Sequence, residues 1–226
     1  MDAQRLFDEI APTYDGLNRL LSLGLDRGWR RQAVRALALH RPRLILDVAT
    51  GSGDLAIAAL ALRPDAVTAV DISPAMLSRA ATKIGGVPAG GRISLLPAAV
   101  EALPFASGSF DAVSVGFGAR NFADLDQGLG EIFRVLKTGG VVVVLEFSRP
   151  RNSLLRRLHR FYLRGPLPWL GGLVSGNHAA YVHLAESVLA FPQGAEFTAR
   201  LARAGFSATA CRPLCFGVCS VYCGVK

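Results

Sequence analysis

A glycine-rich loop flanked by carboxylates is the segment best suited to bind a charged ligand. It runs from Asp47 to Asp54, at the end of an apolar run that begins at Leu44. Glycines such as Gly51 and Gly53 let the backbone turn tightly and let a ligand approach closely. Asp71, 20 residues after Gly51, ends a second apolar run, where a carboxylate can accept both hydrogens of a ribose diol. These residues predict a nucleoside site.

Two kinds of nucleoside ligand compete for this loop. The dinucleotide fingerprint has a third glycine where this chain has Ala56, a replacement that some variants permit. Asp47 and Asp54 would repel a pyrophosphate but attract an ammonium or sulfonium group. The loop therefore favours S-adenosylmethionine over NAD or FAD, with a glycine loop kept only for a tight turn as the remaining alternative.

The elements around this loop alternate between strands and helices. Strands are expected at 44–49, 67–72, 93–96, 110–116 and 141–147, and helices at 55–62, from Ser73 onwards and at 125–136, where Gly139-Gly140 ends the helix. This order predicts an α/β domain with a parallel sheet and helices on both faces. The tail at 207–225 predicts two strands that add an antiparallel edge. We expect one domain over residues 1–226, with a helical lid at 1–40 and a helical insertion at 149–190.

Composition and charge indicate which kinds of partner the protein binds and where it is located. The chain has 226 residues, of which 51% are hydrophobic, and a formal net charge of +8. Excess positive charge favours nucleic acid, an acidic lipid surface or a phosphorylated ligand without choosing among them. No secretory signal and no apolar stretch near the ~20 residues of a membrane span is apparent. We therefore expect a cytoplasmic protein in peripheral contact with a membrane.

Four cysteines near the C-terminus, at positions 211, 215, 219 and 223, raise the alternative of a metal site. On a strand, however, even spacing places them on one face, where free cysteine packs as a small apolar residue. The usual zinc pairing of two cysteines separated by two residues is missing. No metal is expected.

Nearly the whole chain, from Phe7 to the C-terminus, resembles the UbiE/MenG family of quinone C-methyltransferases. The matching segments are Phe7–Ala11, Tyr14-Asp15, Leu103–Phe105, Phe110-Asp111, Phe117–Asn121, Arg134–Lys137, Gly139-Gly140, Leu145–Ser148, and Tyr181, Leu184, Glu186, Ser187 and Phe191-Pro192. Three of these matches are specific, because ordinary methyltransferases share only the glycine loop. They are the N-terminal match at Phe7–Ala11 and Tyr14-Asp15, the phenylalanine-glycine-x-arginine-asparagine segment at 117–121, and the last group from Tyr181 to Pro192.

The resemblance implies a class I methyltransferase fold, a Rossmann-like sheet of seven strands. It also implies methylation of a ring carbon in a prenylated quinol, with demethylmenaquinol favoured over a ubiquinone-precursor benzoquinol. A basic RNA- or lipid-binding protein is the alternative of a different class. Ser52 stands where the family usually has a cofactor-contacting threonine, and Asp71 carries over directly. The family commonly has an asparagine-alanine pair where this chain has Ala99-Val100, and a serine where it has Gly116. At these positions only backbone contacts with the cofactor are expected.

Three residues are candidates for the chemistry. Arg120 is expected to stabilise negative charge on the quinol oxygen, with Asn121 positioning it. Tyr14, on the N-terminal lid, is a candidate proton relay. The alternative for Arg120 is a structural salt bridge to Asp124 or Asp126. His178 and His183 are interpreted as ordinary surface residues.

The predicted insertion has the composition of an interfacial helix. Its first part carries six arginines, at 149, 151, 156, 157, 160 and 164, with no acidic residue among them, interleaved with leucines and aromatic residues. Such a helix can lie on anionic lipid, although a basic helix over the core is the alternative. Pro166–Leu173 could admit a prenyl tail. No specific nucleic acid is expected, because a proline-proline-aromatic motif after the fourth strand is missing, and the sequence does not decide between a monomer and a homodimer.

Overall fold

The computed structural model describes residues 3–11, 15–16, 19, 22, 24–175 and 178–226. Its seven strands form one sheet in the order β3-β2-β1-β4-β5-β7-β6. The strands are β1 (Leu44–Val48), β2 (Ala66–Asp71), β3 (Ile93–Pro97), β4 (Phe110–Gly116), β5 (Leu136–Phe147), β6 (Ser207–Leu214) and β7 (Cys219–Val225). Strands β1 to β5 pair in parallel, whereas β7 is antiparallel to β5 and to β6. The predicted parallel sheet with an antiparallel edge is confirmed.

Helices cover both faces of this sheet. Within the residues that the structure describes, the helices are α1 (Ala3–Ile10), α2 (Asp26–Ala38), α3 (Asp54–Ala59), α4 (Pro74–Gly85), α5 (Leu125–Val135), α6 (Ser153–Arg164), α7 (Pro166–Ser175), α8 (His178–Ala190) and α9 (Ala195–Arg203). On one face Leu129 of α5 and Phe197 of α9 belong to the same buried cluster as the strands. On the other, Trp29 and Leu37 of α2 do so. The core therefore lies on both sides of the sheet, which explains why its central strands are mostly apolar.

The end of α5 differs from the prediction. The helix ends at Val135, and Leu136 already pairs with Phe110 of β4, so the segment through Gly139-Gly140 belongs to β5. The pairing shifts between Phe110 and Ala112, where an irregularity absorbs the extra residues of β5. Gly139, with φ of 79°, donates its N–H to the carbonyl of Lys226. The two glycines thus form a bulge that seats the chain terminus instead of ending a helix.

The start of α4 holds the end of β2 in place. Ser73 caps this helix by accepting a hydrogen bond from the Met76 N–H at 3.1 Å, and Pro74 is its first residue, as predicted. Because β2 ends at Asp71, this cap brings the carboxylate beside the first turn of α4.

The cysteines do not share one strand. Cys211 lies on β6 and Cys223 on β7, while Cys215 belongs to the turn between the two strands. Among the described residues, no three histidine, cysteine, aspartate or glutamate side chains are grouped so that they could hold a metal ion.

Candidate active site

The carboxyl ends of β1, β2 and β4 surround a cavity of about 520 Å³. The loop after β1 enters it through Gly51, whose φ of 55° is left-handed and is readily adopted by glycine. The predicted cofactor residues that line this cavity are Asp47, Gly51, Ser52, Asp71, Ala99, Val100 and Gly116. The volume suits a nucleoside-sized ligand. We call this space the donor cavity.

Gly53 is not among the residues that line the donor cavity. Its φ is 82°, and an added Cβ would lie 3.3 Å from the Cβ of Ala80 on α4. A glycine at this position thus lets α3 begin directly against α4. Its contact with the cofactor stays a prediction, beside this packing role.

Asp47 is a fully buried carboxylate at the end of β1. It accepts hydrogen bonds from the hydroxyls of Thr50 at 2.6 Å and Ser114 at 2.5 Å. Burial raises its pKa to about 6, and the nearby Asp71 charge acts in the same direction. A cation in the donor cavity would relieve both costs.

Asp71 connects the loop to α4. One carboxylate oxygen accepts the Gly51 N–H at 2.7 Å, and the other accepts the Ser73 N–H at 2.9 Å. Burial raises its pKa, while these backbone donors lower it. A carboxylate has about four acceptor sites, so Asp71 can still accept hydrogen from a ribose hydroxyl.

Ser52 joins the loop to the N-terminal segment. Its hydroxyl donates to Asp15 at 2.5 Å and accepts from Lys83 of α4 at 2.9 Å. Asp15 also pairs with Arg79 at 2.9 Å. Burial raises the pKa of Asp15, but the bonds from Ser52 and Lys83 outweigh it and the pKa is lowered. Asp15 is therefore held by ion pairs beside the donor cavity.

Asp54 lines the donor cavity but does not offer an uncompensated charge. Lys83 lies 2.5 Å from one of its oxygens, and Arg30 of α2 lies 3.1 Å from the other. Of the two carboxylates expected to attract a cation, Asp47 is therefore the one without a basic partner among its hydrogen bonds.

Glycines also keep the floor of the donor cavity open. A Cβ at Gly116 would come within 2.9 Å of Leu55, and one at Gly118 within 2.5 Å of the Ala49 Cβ. The absence of a serine at position 116 is therefore consistent with the close approach of Leu55.

Arg120 is paired with Glu146, not with Asp124 or Asp126. Its Nη1 lies 2.8 Å from Oε1 of Glu146, and the two side chains are 6% and 0% exposed. Asp124 caps α5 and Asp126 pairs with Arg200, so the predicted structural partners were wrong. The guanidinium also lies 5.3 Å from the ring centre of Phe147.

Asn121 and His183 line the donor cavity together with Arg120. The buried Nδ2 of Asn121 and Nε2 of His183 find no hydrogen-bond partner within the described part of the chain. His183 is therefore not an ordinary surface residue, because α8 packs it against the site. Tyr14, the third catalytic candidate, lies outside the described residues.

A second cavity of about 570 Å³ adjoins the first and is almost entirely apolar. Its walls come from α2, β5, α6, α7, α8 and the turn before β7. They include Trp29, Phe147, Leu155, Tyr162, Leu167, Leu184 and Val188. Arg30, Phe117 and Arg120 line both cavities. Phe117 has a left-handed φ of 59°, and its ring packs 4.6 Å from that of Phe147. We call this second space the apolar cavity.

Sequence reasoning missed Glu146 and Arg30 as site residues. A signal for Glu146 was present, because a lone carboxylate within the apolar run of β5 requires a buried partner. Arg30 had no such signal, since α2 carries several arginines and only tertiary packing shows which one points inward.

The donor cavity fits S-adenosylmethionine. It combines the buried Asp47 for a cationic group, Asp71 with free lone pairs for a ribose, and a glycine cradle for close contact. In the described part of the chain, no helix has the length and apolarity to cross a membrane.

Solved structures share this fold at low sequence identity. A SAM-dependent methyltransferase from Thermotoga maritima matches with a TM-score of 0.69 at 20% identity, covering 98% of this chain and 99% of that one. Another from Aquifex aeolicus matches with a TM-score of 0.55 at 16% identity, covering 80% and 81%. These likenesses show the fold of SAM-dependent methyltransferases.

Sequence relatives are much closer. The "Ubiquinone/menaquinone biosynthesis C-methyltransferase UbiE" of Geobacter sulfurreducens is 46% identical over 98% of this chain and 87% of that protein. The "Demethylmenaquinone methyltransferase" of Thermus thermophilus is 47% identical over 97% and 99%. The model of the ubiE/COQ5 methyltransferase family matches residues 2–226. With this match and the methyltransferase fold, the chain belongs to the ubiE/COQ5 methyltransferase family and is an enzyme.

Proposed function

We propose that this enzyme transfers the methyl group of S-adenosylmethionine to a ring carbon of a prenylated quinol, with demethylmenaquinol as the substrate. The observation that carries the proposal is the pair of adjoining cavities, one with buried carboxylates and one apolar, which share Arg30, Phe117 and Arg120. A quinol ring at this junction would lie between the donor and a pocket for its tail.

The donor cavity supplies binding and orientation. Asp71 accepts the ribose hydroxyls, and the charge of Asp47 favours the cationic end of the donor. Gly116 and Gly118 permit close backbone contact. Ala99 and Val100 line the cavity where the adenine would lie, so the contacts there are apolar or come from the backbone.

The junction supplies charge stabilisation. A ring carbon of the quinol becomes nucleophilic when an adjacent hydroxyl loses its proton, so the enzyme must favour the phenolate. Arg120 is fixed by Glu146, and its buried Nε has no hydrogen-bond partner among the described residues. The donors of Arg120 and Asn121 are therefore preorganised for an oxyanion, at no reorganisation cost during the reaction.

The apolar cavity suits a prenyl tail. Leu158 and Phe161 of α6 line it and are also exposed at the surface, so the cavity opens on this helix. Five exposed arginines lie on or beside the helix, at 151, 156, 157, 160 and 164, and none makes an ion pair with a described residue. This surface supports peripheral docking on an anionic membrane, from which the tail would enter the cavity.

The choice of quinol rests on the relatives. Those from Thermus thermophilus and Bacteroides fragilis carry the name "Demethylmenaquinone methyltransferase", at 47% and 43% identity. The Geobacter relative carries a name that covers both ubiquinone and menaquinone biosynthesis, so a benzoquinol precursor is the second substrate to test.

The test uses purified protein, radiolabelled S-adenosylmethionine and short-chain demethylmenaquinone, with and without dithionite. We expect label in the lipid only under reducing conditions, because the oxidised quinone has no phenolate to donate electrons. Label in the benzoquinol precursor alone would reassign the substrate. No transfer to either quinol, despite tight donor binding, would overturn the proposal.

A further inference from the structure

C-methylation of a quinol ring requires a base as well as an oxyanion site. When the ring carbon attacks, its bond to the methyl carbon forms as the sulfur–methyl bond breaks, and the sulfur keeps that electron pair. The ring carbon then bears both hydrogen and methyl, while the phenolate oxygen has become a carbonyl. A base must take this proton so that the C–H electron pair restores the aromatic ring and the phenolate. This inference rests on the proposed function.

The carboxylates that line the donor cavity are already engaged. Asp47 accepts two hydroxyls, Asp71 accepts two backbone amides, and Asp54 is paired with Lys83 and Arg30. Glu101 accepts the N–H groups of Ala123 and Asp124. The arginines of the lining stay protonated and cannot act as bases.

His183 differs from these groups. It is half-buried on α8, it lines the donor cavity, and its buried Nε2 has no hydrogen-bond partner among the described residues. A buried ring nitrogen without a partner is costly, which suggests that a ligand supplies one.

The position of His183 on α8 places it at the junction of the cavities. The next residue, Leu184, lines the apolar cavity, as does Val188 one turn later. Arg120 lines both cavities, and Asn121 lies beside it in the donor cavity. Helix α8 therefore presents the imidazole of His183 to the donor cavity and the side chain of Leu184 to the apolar cavity. The quinol ring must lie at the junction of these two cavities.

The surrounding charges keep the imidazole neutral. Burial lowers the pKa of His183, and the charge of Arg120 lowers it further, against a smaller opposing effect of Glu186 on the same helix. Glu146 faces Arg120 from β5, and Arg30 faces the junction from α2. A neutral imidazole is the form that accepts a proton.

We propose that His183 is the general base that removes the ring proton after methyl transfer. Asn121 and Arg120 bind the quinol oxygen, while Nε2 of His183 accepts the proton from the methylated carbon.

The test compares His183→Gln with wild type, using His178→Gln as the matched control. His178 is exposed on the same helix and does not line either cavity. We expect His183→Gln to lower kcat about 100-fold, the size of a typical general-base contribution. The affinity for S-adenosylhomocysteine and the KM for quinol should stay within about two-fold. His178→Gln should match wild type.

Two further readouts separate a base from a structural residue. With substrate deuterated at the reacting ring carbon, His183→Gln should show a primary isotope effect larger than that of wild type. The acid limb of the kcat–pH profile should also disappear, because only the unprotonated imidazole of His183 can accept the proton. If the glutamine variant does not fold, His183→Ala with added imidazole replaces it, and rescue is expected.

Unchanged kcat in His183→Gln, or an unchanged isotope effect and acid limb, would overturn the assignment of the base. Absence of imidazole rescue in a folded alanine variant would do the same. These results differ from failure of the proposed function, in which wild type itself would transfer no methyl group to a reduced quinol.

Discussion

At the scale of single residues, the Arg120–Glu146 ion pair is a buried charge pair next to both cavities. Both side chains are buried, and the Arg120 backbone N–H also donates to Glu146 Oε2 at 3.2 Å. Two charges removed from water are tolerated only when each satisfies the other. Glu146 therefore positions Arg120 between the cavities and compensates its charge.

We predict that Glu146→Gln lowers the free energy of unfolding by roughly 3 kcal/mol, because it leaves a buried guanidinium without its counter-charge. Urea unfolding followed by circular dichroism measures this. The matched control is Asp126→Asn, which breaks the exposed pair with Arg200 at 2.9 Å. The control should cost less than about 1 kcal/mol, as surface pairs usually do. Equal losses in the two variants would contradict the role of the buried pair.

At the scale of elements, α6 both lines the apolar cavity and presents an exposed apolar face, and its sequence alone does not show which residues do which. Leu163 is buried against the core, whereas Leu154, Leu158 and Phe161 follow a helical spacing along an exposed face. Leu158 and Phe161 also line the apolar cavity, but Leu154 does not. Leu154 can therefore report on membrane contact separately from the cavity.

We predict that Leu154→Glu weakens binding to anionic vesicles by about ten-fold or more. The substitution replaces apolar area that the membrane would bury with a charge that anionic lipid repels. Leu39→Glu is the control, since Leu39 is 83% exposed away from α6, compared with 74% for Leu154. Sedimentation with vesicles gives the affinity. The fluorescence of Trp169, which is 63% exposed on α7, should shift to the blue on binding. Equal binding by the two variants would exclude this face as the contact.

At the scale of the whole molecule, the buried Asp47 links the donor site to stability. The pKa of its carboxyl rises from 3.8 to about 6 on burial, so the folded protein binds this proton more tightly than the unfolded chain does. The resulting stabilisation is fully present below pH 3.8 and is lost as the pH rises towards about 6. Above that pH, the ligand-free protein carries the cost of a buried charge.

We predict that Asp47→Asn, measured without ligand, becomes more stable relative to wild type as the pH rises. The advantage should grow by about 1 kcal/mol between about pH 5 and about pH 8. Because Asp15 and Asp111 have lowered pKa values and act in the opposite direction, the difference between variant and wild type is the quantity to follow. Urea unfolding at both pH values measures it. A difference that does not change with pH would show that Asp47 does not titrate in this range.

The alternating pattern determined the main architecture. Short β-branched runs between amphipathic helices allow few arrangements other than a parallel sheet, and the cap at Ser73 could be read directly. The boundary between α5 and β5 could not be predicted from the sequence, because Gly139-Gly140 resembles the end of a helix. Only pairing with β4 and with the chain terminus shows that these glycines form a bulge.

The sequence by itself determined the fold class, the family and the residues of the donor loop, because these depend on local spacing and on motifs that are contiguous along the chain. Only the tertiary structure decided that Glu146 is the partner of Arg120, that Arg30 points inward and that His183 reaches the site. Arg120 and Glu146 lie 26 positions apart, and His183 is further still. Contacts across such separations depend on how helices pack over a twisted sheet, and no local pattern records that packing.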